Sequence, residues 1–91
     1  MDSEKDIPSS AIREFHSQHL KKASEVLQTA PVEKRDFTTM TIPVNVKHLK
    51  KAKKYIADFQ DRMALLLSEG DTTEVYDLTI QLFPLTHPKG K

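Results

Sequence analysis

His16 and His19 are the residues whose type and spacing come nearest to a metal site. Three positions apart on a helix, they share one face. A protein zinc site uses three or four ligands, and no carboxylate stands at a matching position on the buried side of this helix. We therefore interpret the pair as histidines at the edge of an apolar stripe, beside Phe15 and Leu20, and predict no metal. A further role for the pair stays open.

A lysine cluster opens the second predicted helix, with five lysines between positions 47 and 54. Four of them fall on one helical face: Lys47, Lys50, Lys51 and Lys54. Positive charge at a helix N-terminus opposes the macrodipole, so stability alone would favour acids there. Two interpretations follow: contact with a polyanion or an acidic partner, or a solvated face whose lysine stems cover apolar neighbours. No interleaved aromatic or glycine-rich loop supports base stacking or phosphate cradling.

A third polar set lies on two predicted strands, where it would form one surface of a sheet suited to a small ligand. Its members are Thr39, Thr41, Asp77, Thr79 and Gln81. Carboxylate pairs for acid–base work and nucleophile–histidine–acid sets are not evident. The chain has no Cys, which excludes thiolate chemistry and cysteine-ligated zinc. We predict no catalytic residue, no cofactor and no enzymatic activity.

Two amphipathic helices position these residues. The first is predicted from Ser10 to Thr29, capped by Ser9 or Ser10 and ended by Pro31. The second, helix α2, is predicted from Asn45 to Gly70, with Asn45 as N-terminal cap and Gly70 closing the C-terminus. Its apolar residues are spaced three and four apart on one face. We call this set the α2 seam: Leu49, Ala52, Ile56, Phe59, Met63 and Leu66.

Two segments rich in β-formers predict strands at 37–44 and 74–85, with Pro43 and Pro84 at their ends. The order is then α-β-α-β, an α+β fold with a small sheet covered by two helices. The helix between the strands makes them parallel in a right-handed crossover. Two strands form a poor sheet, so we expect a second copy of the chain to complete it as a homodimer.

Length and composition set the remaining expectations. The 91 residues suit one small domain, predicted over 8–86, after a disordered or linker segment at 1–7 and before a polar tail at 87–91. Net charge is +1 with His neutral, so the overall charge favours neither an acidic nor a basic partner. The N-terminus lacks the features of a secretion signal, and no apolar run approaches the ~20 residues of a membrane span. We expect a cytoplasmic protein without membrane contact.

Several segments together resemble a family of conserved hypothetical bacterial proteins regarded as transcriptional regulators. They are AIREFH at 11–16, the spaced Ala23, Leu27 and Pro31, the pair Arg35 and Asp36 with Thr39 and Thr41, and LTIQLFPLT at 78–86. In that family these segments look like the C-terminal domain, which follows a helix-turn-helix half that this sequence lacks. The resemblance implies a regulatory role and supplies no ligand. It does not transfer DNA binding, which the missing half would carry.

Three functions remain open from the sequence. The first is a non-catalytic dimerisation or regulatory domain of a bacterial transcriptional regulator. The second is a sensor domain that binds a small ligand on the polar sheet surface. The third is binding of nucleic acid or an acidic partner through the lysine cluster. A homodimer is the expected assembly, and another protein is a possible partner.

Overall fold

The computed structural model describes residues 9–86. The chain divides into two units, Met1–Thr41 and Ile42–Lys91, and one long α-helix dominates each. In chain order the elements are helix α1 (Ser10–Thr29), a 3₁₀ turn (Val32–Lys34), a second 3₁₀ turn (Val46–His48) and helix α2 (Leu49–Leu67). The segments predicted as an N-terminal linker (1–7) and a polar tail (87–91) lie outside the described residues.

Helix α1 begins and ends where the sequence predicts. Ser9 has an extended backbone, and its Oγ accepts a hydrogen bond from the Ile12 amide at 3.4 Å, which satisfies one of the donors left open by the first turn. At the other end Ala30 is extended, with φ −80° and ψ 142°, because the following Pro31 disfavours a helical residue before it. The Ala30 amide still donates to the Val26 carbonyl at 2.9 Å, which closes the last turn.

The cap at Ser9 has a measurable consequence. Replacing Ser9 with Ala is expected to lower the free energy of unfolding by about 1 kcal/mol, because the Ile12 amide loses its acceptor. Urea unfolding followed by circular dichroism measures the difference. Ser10→Ala is the matched control, since Ser10 lies inside the helix and its hydroxyl makes no hydrogen bond within the described chain. Equal losses in the two variants would contradict the assignment of Ser9 as the cap.

Helix α2 has the predicted cap but is shorter than predicted. Asn45 Oδ1 accepts a hydrogen bond from the Lys47 amide at 3.0 Å, and the first turn after it is a 3₁₀ turn. Regular α-helix runs only over Leu49–Leu67, and Ser68 caps its end. Gly70 follows with φ +75°, and nothing lies within 4 Å of where its side chain would begin. The left-handed backbone predicted at the end of this helix is therefore present, three residues beyond the last helical one.

The predicted α+β fold is wrong. None of the residues 9–86 is in a β-strand, and segments 37–44 and 74–85 are irregular. The α-β-α-β order, the parallel crossover and the sheet completed by a second copy therefore do not hold. β-Propensity mostly measures how well side chains pack on neighbouring strands, and a sheet of two strands interrupted by proline offers few neighbours. The segments thus have strand-like composition without the pairing that would make them strands.

No side chain among residues 9–86 is buried. In α2 the least exposed residues form a half-buried stripe that includes Leu49, Ile56 and Met63 of the α2 seam. The other edge of the seam is open, with Phe59 48% and Leu66 62% exposed. The described chain therefore contains two amphipathic helices without the closed apolar core that usually stabilises such helices. No helix in this part of the chain is long and apolar enough to cross a membrane.

Candidate interaction surface

The exposed edge of the α2 seam continues into a shallow depression at the start of α2. It encloses about 210 Å³ and is lined by His48, Lys51, Ala52 and Tyr55. Each of these positions has two others three or four residues away, so they lie side by side on one helical face. The volume is below the roughly 300–1,000 Å³ of small-molecule sites.

A cation–π contact forms one edge of this depression. Lys51 Nζ lies 5.9 Å from the centroid of the Tyr55 ring, within the range at which a ring attracts a cation. Both side chains are exposed, and Tyr55 retains 63% of its accessible surface. The sequence reasoning missed Tyr55 as a surface residue of interest. The spacing of a lysine four residues before an aromatic residue was the available signal.

The lysine cluster lies where the sequence predicts, on the first turns of α2 and the 3₁₀ turn before it. Lys47, Lys50, Lys51 and Lys54 are all exposed, and none of the four forms an ion pair within the described chain. No acidic residue occurs between positions 46 and 57, whereas Asp58 and Asp61 follow in the next turns. Helix α2 is consequently polarised, with positive charge at its N-terminal half and negative charge beyond its middle.

Phe15, His16 and His19 form an aromatic cluster on α1. The Phe15 ring is 5.5 Å from His16 in an edge-on arrangement and 4.2 Å from His19 in a tilted one. His19 Nδ1 lies 2.9 Å from the Phe15 carbonyl oxygen, at hydrogen-bonding distance. The residues described contain no group of three or more His, Cys, Asp or Glu side chains arranged to hold a metal ion. The pair is thus engaged in local contacts on its own helix.

The polar residues assigned to a sheet surface lie on irregular chain. In the first unit these are Thr39 and Thr41, and in the second Asp77, Thr79 and Gln81. All five are exposed. The shared sheet that would have aligned them is absent from residues 9–86, so the geometry behind that hypothesis is wrong. A role for these residues in ligand binding stays a prediction.

Comparison with known proteins places the chain in a family. No curated protein and no solved structure gives a significant match. A family model described as a domain of unknown function (DUF4423) matches residues 1–85, nearly the whole sequence. That description names no ligand, reaction or partner. The match covers both helices and the irregular segments after them, and the chain therefore belongs to the DUF4423 family.

Proposed function

We propose that this chain is a non-catalytic self-association domain, which dimerises through the α2 seam and its exposed edge. The observation that carries the proposal is the absence of any buried side chain in residues 9–86, although both helices present apolar stripes. Amphipathic helices of this length depend mainly on packing of their apolar faces. A second copy of the chain is the surface that we propose covers them.

The spacing of the α2 seam favours a second copy over an unrelated protein. Alternating steps of three and four over about two and a half heptads are the pattern by which helices pair with helices. A two-fold dimer is self-complementary, because the same residues serve both sides of the interface. The net charge of +1 adds little repulsion between copies.

We further propose that this association serves a bacterial transcriptional regulator in the cytoplasm. The support for this step is the sequence resemblance alone, by which these segments look like the C-terminal domain of such proteins. Dimerisation is a common need of such regulators, because two-fold operators match two-fold proteins. In this proposal the chain supplies the association, and a separate domain supplies contact with DNA.

Sedimentation equilibrium tests the self-association directly. The expected mass at micromolar concentration is twice the 10.4 kDa of one chain, because in this proposal the helices depend on the second copy for packing of their apolar faces. A single-chain mass throughout the micromolar range would refute the proposal. A mass that rises above that of one chain only when a different protein is added would refute it as well. The partner would then not be a second copy of this chain.

The exposed lysine cluster favours a second candidate function, binding of a polyanion such as duplex DNA. If all four lysines contact phosphates, affinity is expected to fall about 100-fold between 50 and 200 mM salt, because each contact releases counterions. Fluorescence anisotropy with labelled duplex measures the slope. The double variant Lys50→Gln with Lys51→Gln should flatten it, while Lys21→Gln with Lys22→Gln on α1 should leave it unchanged. Binding that is absent or insensitive to salt would eliminate this candidate.

A further inference from the structure

We infer that the depression at the start of α2 holds one phosphate group of a nucleic-acid backbone, and that His48 makes this contact dependent on pH. The inference rests on the second candidate function, polyanion binding by the lysine cluster, and adds the residues that complete that site. Three observations support it: the chemistry of the groups that line the depression, the lack of partners for these groups within the described chain, and the row of lysines beside them.

The polar side chains that line the depression can all donate hydrogen bonds to an anion. Lys51 carries an ammonium group, Tyr55 a phenolic hydroxyl, and His48 an imidazole whose two ring nitrogens both donate once the ring is protonated. Residues 46–57 contain no acid, so no carboxylate of this stretch competes for these donors. The ligand that such a set of groups favours is an oxyanion.

These donors are not used within the part of the chain that the structure describes. The side chains of His48 and Tyr55 make no hydrogen bond there, and the contact that Lys51 makes is with the Tyr55 ring, at 5.9 Å. All three side chains are exposed. The ring attracts the ammonium group to the edge of the depression, and the N–H groups of that ammonium remain to bind a ligand.

A phosphate backbone fits the surroundings of the depression better than a single anion does. Lys51 belongs both to the depression and to the helical face that it shares with Lys47, Lys50 and Lys54. At the rise of a helix these four lysines extend over about 10 Å along the axis, and duplex DNA carries one charge per about 1.7 Å of its length. A single ion reaches only part of this face, whereas successive phosphates of one ligand span it.

His48 gives the site its dependence on pH. Histidine is the side chain that changes charge between pH 5 and 8, whereas lysine ammonium groups are charged throughout that range. The 3₁₀ turn that carries His48 packs on α2 and on no other helix or turn of residues 9–86. The charged and titratable groups around His48 are therefore Lys47 on the same turn, and Lys51 and Tyr55 across the depression. A bound anion favours the protonated ring, so affinity rises as the pH falls.

Fluorescence anisotropy with a labelled DNA duplex tests the inference, when it is measured at pH 8 and at pH 5.5 over a series of salt concentrations. At pH 8 four lysine contacts predict a slope of about −3.6 for log K against log salt concentration, and a fifth contact from protonated His48 makes it about −4.5 at pH 5.5. At constant salt the affinity is expected to rise about fivefold over the same range. His48→Gln should abolish both changes and leave the slope at pH 8 unaltered.

Two further variants separate a local contact from a general effect of charge. His16→Gln is the matched control, because it removes the same charge at low pH from α1, away from the depression. It should leave the pH dependence of binding in place. Tyr55→Phe keeps the ring that contacts Lys51 and removes only the hydroxyl. It is expected to weaken binding about threefold at both pH values, because one hydrogen bond to the phosphate is lost.

The possible failures are distinguishable. A pH dependence that persists in His48→Gln, or that His16→Gln reduces equally, would overturn the inference and leave polyanion binding standing. Absence of binding at both pH values would overturn the inference and the second candidate function together. Displacement of the duplex by polyglutamate at equal charge concentration would also overturn the inference, because the ligand would then be an acidic peptide and not a phosphate backbone.

Discussion

Phe59→Asp is expected to convert the dimer into monomers. Phe59 lies at the centre of the α2 seam and is 48% exposed in the single chain, so about half of its side chain is left for a partner to cover. Covering the remaining half of a large apolar side chain contributes about 1 kcal/mol, and a two-fold interface contains the residue twice. A carboxylate at the same place would also be desolvated. Loss of this apolar contact from both copies, about 2 kcal/mol, should raise the dissociation constant about 30-fold, and desolvation of the two carboxylates should raise it further.

Ala64→Asp is the matched control for Phe59→Asp. It introduces the same charge into the same helix, but at an exposed position away from the α2 seam. Sedimentation velocity over a range of concentrations measures the dissociation constant of each variant. The proposal requires a large shift for Phe59→Asp and a small one for Ala64→Asp. Similar shifts in both would indicate that added charge, and not the α2 seam, controls association.

Dilution of the protein is expected to cause the second large effect, a loss of helical structure. If the partner copy supplies the missing apolar contacts, the chain below its dissociation constant has helices without a core. Isolated helices of this kind are marginally stable in water, so most of the helical circular dichroism signal should be lost. The thermal midpoint should rise with concentration, because binding to the folded state stabilises it by mass action.

A unimolecular fold gives the opposite result. In that case the helical signal per residue and the thermal midpoint are independent of concentration, as for a two-state monomer. The Phe59→Asp variant provides the reference, since its signal at high concentration should resemble that of the original chain at low concentration. A variant that stays fully helical as a monomer would contradict the dependence of α1 and α2 on association.

The helices could be predicted from the sequence because their determinants are local. Spacing of three and four, a cap at Ser9 or Asn45 and a proline after Ala30 act within a few residues of each other. The predicted strands failed for the converse reason. Val75, Ile80 and their neighbours have the composition of a strand, but a strand exists only when another strand pairs with it. The pairing strand must come from elsewhere in the chain or from another molecule, so local composition does not determine whether a strand forms.

The candidate surface was predictable in part for the same reason. The position of the lysine cluster on one helical face follows from spacing alone, and the structure has its members exposed as expected. The depression and the contact of Lys51 with Tyr55 depend on side-chain rotamers, which spacing does not specify. The bond between His19 and the Phe15 carbonyl is likewise a rotamer outcome. Spacing in the sequence therefore does not predict these contacts.

The position of Gly70 restricts substitutions by the chirality of the new residue and not by its size. Its backbone has φ +75°, yet the space where a side chain would begin is empty. A large substituent would meet no neighbour, so volume imposes no penalty there. Every L-residue nevertheless carries a Cβ that strains this backbone. Asn tolerates the conformation better than smaller Ala does, and a mirror-image D-alanine would fit with no torsional cost at all.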